Sequence, residues 1–234
     1  MKIVVAGTGY VGLVTAVCLA EVGHTVTCVD VVEEKIRMLN EGKSPIFEPG
    51  LEELMKKNKE RLTYTLNAKD AYKKADVIFV GVGTPEKKDG SANLKYVYEV
   101  SREIAENIEQ NTIIVIKSTV PIGTNKKIEK YIKDHLKNNV KVEIVSNPEF
   151  LSQGTAVKDT LHAQRIVIGV NSKHAEDIMK EVYDGFNIPY VITDRESAEM
   201  IKYASNDFLA LKISYINEIA NLCELVGANI EDVT

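Results

Sequence analysis

The sequence predicts an α/β fold: a doubly wound, mostly parallel sheet followed by one long helix. Two observations predict the sheet. Short apolar runs recur from Lys2 to Thr193, and stretches of helical spacing alternate with them, a pattern that buries strands on both faces of a mostly parallel sheet. A third predicts the helix, because residues 194–226 contain neither proline nor glycine.

Taken in order, residues 2–6 read as a strand, 10–22 as a helix stopped at Gly23, and 25–29 as a second strand ending at Asp30, which together make a βαβ unit. Further strands are expected at 76–82, 112–117, 142–146, 165–170 and 189–193. Helices are expected around 31–40, 51–58, 95–108, 124–137 and 173–183. In the long helix Asp194 is placed to cap the N-terminus and Gly227 to end the last turn in a left-handed conformation. Its apolar residues, among them Ala198, Phe208, Leu211, Leu222 and Val226, occupy more than one narrow stripe, so cover on several sides is expected. The resulting division is a sheet domain at 1–193, a connecting helix at 194–226 and the start of a further domain at 227–234.

Composition narrows the function classes. A hydrophobic content of 44% is ample for a packed core. Lys+Arg 29 against Asp+Glu 34 leaves a net charge of −5 without long like-charge blocks, so no nucleic-acid partner is expected. No apolar stretch is long enough to span a membrane and no cleavable signal pattern opens the chain, which gives the expectation of a cytoplasmic protein without membrane contact. Cys18, Cys28 and Cys223 are widely spaced and in apolar surroundings, so buried free thiols are expected, and no metal site.

Gly7-x-Gly9-x-x-Gly12 lies between a strand and a helix, the context in which this spacing reads as a dinucleotide fingerprint of a Rossmann-like domain. Gly7 serves the tight turn, Gly9 lets the pyrophosphate approach the backbone, and Gly12 lets helix and strand pack closely. Asp30, at the end of the second strand, suits the adenosine ribose hydroxyls and would repel a 2′-phosphate. Val31 and Val32 follow it instead of an arginine, so NAD is expected as cofactor in preference to NADP.

Further stretches are GVGTP at 81–85, KSTVPIGT at 117–124, NPEFLSQGTA at 147–156, AEMIKYASNDFLALKISYINE at 198–218, and FEPGLEEL at 47–54. Together, in this order, they resemble the UDP-glucose 6-dehydrogenase family within the nucleotide-sugar dehydrogenases, over essentially the whole chain. The resemblance implies oxidation of the sugar C6 alcohol to a carboxylate by two successive NAD molecules. The second oxidation passes through a cysteine thioester that water hydrolyses. It also implies a homodimer built largely through the long helix.

The same resemblance carries roles onto residues. Glu149 matches the carboxylate of proton transfer and water activation, Thr119 the hydroxyl that helps hold the catalytic water, and Lys202 with Asn206 the pair near the reacting C6 oxygen. Tyr10, Val11, Lys35 and Thr84 match nucleotide contacts, joined by Thr119 and Gln153. Phe150, Leu151, Ser152 and Gln153 match the segment that binds the sugar nucleotide beside Glu149. The spacing agrees with part of this, since Lys202 and Asn206 at i and i+4 share one helix face, and Glu149 follows a strand at the edge where doubly wound folds bind ligands. Spacing alone also allows Lys202 to snorkel to the surface, Glu149 to be an ordinary loop residue, and Thr119 to cap the next helix.

Two departures stand out. Gln153 occupies a position where many members have an acid. The family's nucleophilic cysteine belongs to a glycine-rich segment beyond the long helix, and Cys223 lies in that helix between Leu222 and Leu225. The expectation is an N-terminal portion of such an enzyme, inactive by itself for the full reaction. Three alternatives stay open at this level: a UDP-N-acetylhexosamine or GDP-mannose dehydrogenase, a 6-phosphogluconate-type β-hydroxyacid dehydrogenase using a lysine of the long helix, and a non-catalytic nucleotide-binding module.

Overall fold

A computed structural model describes residues 1–234. Its eight-stranded sheet has the order β3-β2-β1-β4-β5-β6-β7-β8, with β1 Lys2–Ala6, β2 Thr25–Val29, β3 Leu62–Thr65, β4 Val77–Val80, β5 Thr112–Ile116, β6 Val142–Ser146, β7 Ile166–Gly169 and β8 Tyr190–Thr193. The helices are α1 Tyr10–Glu21, α2 Glu33–Asn40, α3 Leu51–Lys57, α4 Ala68–Tyr72, α5 Lys95–Asn107, α6 Thr124–His135, α7 Ala156–Leu161, α8 Lys173–Tyr183, α9 Arg195–Val226 and α10 Ile230–Val233. The fold is the expected doubly wound one. The short edge strand β3 and the short helices α4 and α7 are additions to the sequence reading.

The period of two along each strand explains why the apolar runs are continuous. Ile3, Val5, Val77, Phe79, Ile113 and Val115 feed one core, packed under α1, α2, α3, α7 and α8. Their alternate neighbours Val4, Ala6, Ile78, Val80, Ile114 and Ile116 feed the other, with side chains from α5 and α6 and Tyr72 of α4. The central strands β1, β4 and β5 are therefore apolar at nearly every position.

All strand pairs are parallel except β6 with β7, which run antiparallel and share the single residue pair Ser146 and Gly169. Asn147, immediately after β6, reinforces this seam. Its Nδ2 donates to the Val167 carbonyl at 2.8 Å, while its Oδ1 accepts from the Tyr183 hydroxyl at 2.5 Å and the Lys117 ammonium at 3.2 Å.

The chain forms two compact units, Met1–Glu199 and Met200–Thr234. Within the first, the opening turn of α9 is fixed firmly. Asp194 caps it by accepting from the Ser197 N–H at 2.7 Å. A side chain at Gly169 would come within 2.6 Å of the Ala198 Cβ, so glycine there lets α9 lie against the end of β7. Arg195 pairs with Glu129 of α6 at 2.7 Å. The buried Glu199 carboxylate accepts from the N–H groups of Gly123 and Asn125 and from the Asn125 amide, closing the N-terminus of α6.

The second unit consists of the rest of α9, which ends before Gly227 in the left-handed conformation foreseen (φ 74°), and of α10. Phe208, Leu209, Leu211, Ile213, Tyr215, Leu222, Leu225 and Val226 are exposed. Of the apolar residues expected to be covered, Ala198 is buried, whereas Phe208, Leu211, Leu222 and Val226 are exposed.

Candidate functional site

The turn from β1 into α1 shows which of its glycines the protein needs for itself. Gly7 has φ 98°, and a Cβ there would lie 2.9 Å from the Gly81 carbonyl oxygen; one on Gly12 would lie 2.0 Å from the Gly7 carbonyl oxygen. Gly9 differs. Its φ of −73° suits any residue, and a Cβ would meet nothing within 4 Å. The space in front of Gly9 is open to a ligand. Tyr10 and Val11 open the helix there, so their N–H groups have no intrahelical acceptor, and neither a capping side chain nor an acidic residue takes their place. An anion fits, attracted by the helix dipole. These features suit the phosphates of a dinucleotide, and Asp30 is bonded to Thr8 of the same turn.

Asp30 ends β2. Its Oδ2 accepts from the Thr8 N–H (2.8 Å) and hydroxyl (2.6 Å), its Oδ1 from the Val32 N–H (3.0 Å), and the Lys35 ammonium stands 3.8 Å away. Burial alone would raise its pKa, but the Thr8 and Val32 donors together with Lys35 hold the carboxyl below its ordinary value. The group is an anion at neutral pH, with lone pairs left for hydroxyl donors. Val31 beside it is exposed.

The loops after β4 and β5 are tied together next to this turn. The Thr84 hydroxyl donates to the Thr119 carbonyl at 2.9 Å, and the Ser118 hydroxyl to the Val82 carbonyl at 2.6 Å. Glu149 rises from the end of β6 at the same carboxyl edge. Its Oε2 accepts from the Leu151 N–H at 2.8 Å, so the carboxylate folds over the start of its own loop. Phe150 is covered by the Arg165 guanidinium, 5.3 Å from the ring centre. Asp159 of α7 accepts from the Ser152 N–H and the Thr155 hydroxyl, which fixes the loop around the exposed Gln153. A cleft of about 420 Å³ opens here, with Lys117, Glu149, Phe150, Ser152, His162 and Arg165 among its walls.

Gly7, Gly9, Tyr10, Val11, Gly12, Asp30, Lys35, Thr84, Thr119, Glu149 and the Phe150–Gln153 loop therefore all lie in the first unit, on the carboxyl edge of β1, β2, β4, β5 and β6 or in the helix starts that follow. Lys202 and Asn206 lie in the second unit, one turn apart on α9.

Residues 1–187 match the model of the UDP-glucose/GDP-mannose dehydrogenase family NAD-binding domain. The chain belongs to the UDP-glucose/GDP-mannose dehydrogenase family. Residues 196–234 match the same family's central domain. The UDP-glucose 6-dehydrogenase YwqF of Bacillus subtilis is 52% identical over 100% of this chain and 53% of its own length. A UDP-glucose 6-dehydrogenase of Rhizobium meliloti is 49% identical over 100% of this chain and 55% of its own. Among solved structures, a UDP-glucose dehydrogenase from Pyrobaculum islandicum superposes with a TM-score of 0.95 at 38% identity, over 99% of this chain and 55% of that one. The ternary complex of a GDP-mannose dehydrogenase from Pseudomonas aeruginosa gives 0.93 at 40% identity, over 100% and 55%. The chain thus spans about half the length of these members of the UDP-glucose/GDP-mannose dehydrogenase family. No helix in it is long and apolar enough to cross a membrane.

Several side chains that organise this NAD-binding region escaped the sequence reading. Thr8 stands at a variable position of the fingerprint, yet it orients Asp30. Asp159 and Arg165 act on the 149–155 loop from later in the chain, and Glu48 does so from much earlier by accepting from the Gly154 N–H. FEPGLEEL was the signal available for Glu48, without a hint of its partner.

Proposed function

We propose that this chain supplies the NAD site and part of the substrate site of a UDP-glucose 6-dehydrogenase, which converts the C6 alcohol of UDP-glucose to the carboxylate of UDP-glucuronate. The observation that carries the reading is the gathering of the glycine turn, Asp30, the tied Thr84 and Thr119 loops and Glu149 along one sheet edge. That is an arrangement for setting an acid beside a dinucleotide.

NAD supplies the hydride acceptor. Tyr10 and Val11 hold the pyrophosphate through their N–H groups, Asp30 and Lys35 the ribose, and Thr84 with Thr119 and Gln153 the nicotinamide end. Glu149 receives the proton and later activates water that the Thr119 hydroxyl positions. Phe150, Leu151 and Ser152 bind the sugar nucleotide. Lys202 and Asn206, sharing one helix face, are assigned the negative charge that develops at the C6 oxygen.

The three cysteines bear on the thioester step. Cys18, Cys28 and Cys223 are all free and buried, and burial pushes the Cys18 and Cys28 thiols up to about 12. None is a ready nucleophile. We therefore expect the 234-residue chain by itself to bind NAD and not to complete the second oxidation. The reading includes a cytoplasmic enzyme, in keeping with unpaired cysteines, and a homodimer through the exposed apolar residues of α9.

The test is incubation of the purified chain with NAD and UDP-glucose while NADH and UDP-glucuronate are followed. NAD binding without sustained product is expected. Steady formation of both at two NADH per sugar would overturn the cysteine assignment. A GDP-mannose substrate is the competing reading, favoured by the 40% identity to the Pseudomonas aeruginosa enzyme. Displacement of a fluorescent UDP-sugar probe by UDP-glucose but not GDP-mannose would decide against it.

A further inference from the structure

Glu48 lies in the segment between α2 and α3, far in sequence from Tyr10 and from the 149–155 loop, and its side chain is buried. Its Oε2 accepts from the phenol of Tyr10 and from the Gly154 N–H at 2.9 Å; the same Gly154 N–H also reaches the Tyr10 oxygen at 2.8 Å. Three distant segments thus meet at one carboxylate oxygen. The other oxygen, Oε1, is buried without a hydrogen-bond partner. The Ala156 and Val157 N–H groups, in the first turn of α7, nevertheless help to stabilise the charge.

A buried carboxylate is costly unless its donors compensate. Burial alone would raise the pKa of Glu48, but the Tyr10 phenol and the Gly154, Ala156 and Val157 N–H groups hold it below the ordinary value. Burial, then Glu48, raise the pKa of Tyr10, so the phenol stays a donor. Gly154 has φ 90°, a conformation that favours glycine, and its N–H points at this pair. Glutamine keeps one acceptor for the Tyr10 and Gly154 donors, but it loses the charge they stabilise and turns its NH₂ toward the α7 N–H groups.

The identity of the tied segments matters. Tyr10 belongs to the turn whose backbone receives the pyrophosphate, and Gly154 belongs to the loop that carries Glu149 to Gln153. We propose that Glu48 is a positioning residue that couples the two: through the Tyr10 phenol and the Gly154 N–H it holds the 149–155 loop in register with the pyrophosphate turn, so that NAD on the turn orders the loop. The inference rests on the proposed placement of that loop at the substrate. Its readout uses NAD alone, so an error in the sugar assignment would leave it untouched.

The experiment is amide hydrogen exchange of the 234-residue chain with and without saturating NAD, for the unmodified protein, Glu48→Gln and Tyr10→Phe, with NAD affinity measured by calorimetry. In the unmodified chain NAD is expected to slow exchange at residues 7–13 and at 151–157, the latter at least threefold. In both variants the response at 7–13 should persist and that at 151–157 should vanish, with NAD affinity weakened no more than tenfold. A purely structural role would instead speed exchange throughout the sheet with and without NAD, and that pattern in Glu48→Gln would overturn the proposal. So would a full NAD response at 151–157 in either variant. If Glu48→Gln does not fold, Tyr10→Phe decides, because it removes only the hydroxyl through which the turn meets both Glu48 and the Gly154 N–H.

Discussion

Replacing Gly9 and Gly12 by alanine, one at a time, separates what the dinucleotide requires from what the fold requires. At Gly12 the new Cβ would lie 2.0 Å from the Gly7 carbonyl oxygen. Ordinary contact lies near 3.4 Å, so α1 and the turn must part by roughly 1 Å or more. Overpacking of this kind costs about 1–3 kcal/mol, a fall in melting temperature of about 2–12 °C for a domain of this size. It also displaces the N–H groups of Tyr10 and Val11. At Gly9 the Cβ meets nothing within 4 Å and φ is −73°, so alanine fits without strain, and its gain of about 0.4–1 kcal/mol from a stiffer unfolded chain is offset by its poorer standing at a helix N-cap. The same methyl group occupies the approach to the pyrophosphate. A loss of at least tenfold in NAD affinity, about 1.4 kcal/mol, is expected. The assays are thermal melts and calorimetric titration with NAD on the same preparations. A Gly9→Ala chain that melts close to the unmodified temperature and binds NAD at least tenfold more weakly is the expected result. Undiminished NAD affinity in that chain would refute the reasoning, because the open space before Gly9 would then not be the pyrophosphate site.

Asp30→Ala should weaken NAD and narrow its advantage over NADP; calorimetry showing equal NAD and NADP affinity in the unmodified chain would count against the ribose assignment. The folded pKa of Asp30 is depressed, so its stabilising contribution is present above its unfolded value of about 3.9 and is lost as pH falls through the lower folded value. Asp30→Asn should accordingly flatten part of the decline in melting temperature below about pH 4. Glu199→Ala leaves the Gly123 and Asn125 donors without their acceptor, a loss of roughly 2–4 kcal/mol readable by denaturant titration. Cys18 and Cys28, with thiols near 12, should resist a disulfide reagent at mild alkaline pH and react once the chain is unfolded. Light scattering should show self-association through the exposed residues of α9, and a monodisperse monomer at high concentration would argue otherwise.

What the sequence makes legible is what local contacts decide. Gly7 and Gly12 stand five residues apart and touch, so their spacing announces the turn. Asp194 and Gly227 cap α9 through neighbours within a few residues. β3 was missed because LTYT is a short edge strand with one buried residue in four, too weak an apolar signal to stand out after a lysine-rich helix. The reversal at β6 and β7 was hidden as well, since the 147–165 segment between them is long enough for either direction. Of the candidate site, the residues tied to a strand end could be read from pattern. The residues that hold those in place, Glu48 and Asp159 above all, act across long sequence distances and carry no spacing signal.

The seam between β6 and β7 gives the sheet an order of failure. Every other neighbouring pair shares four or five residue positions, whereas this one is stitched by Ser146 with Gly169 and by the side chain of Asn147. Heat or denaturant opens the least-bonded line first. The block holding the glycine turn and Asp30 lies wholly on one side of it, and the loop that bears Glu149 starts on the seam itself. A molecule under stress would therefore loosen the loop of Glu149 while the glycine turn and Asp30 still hold their places.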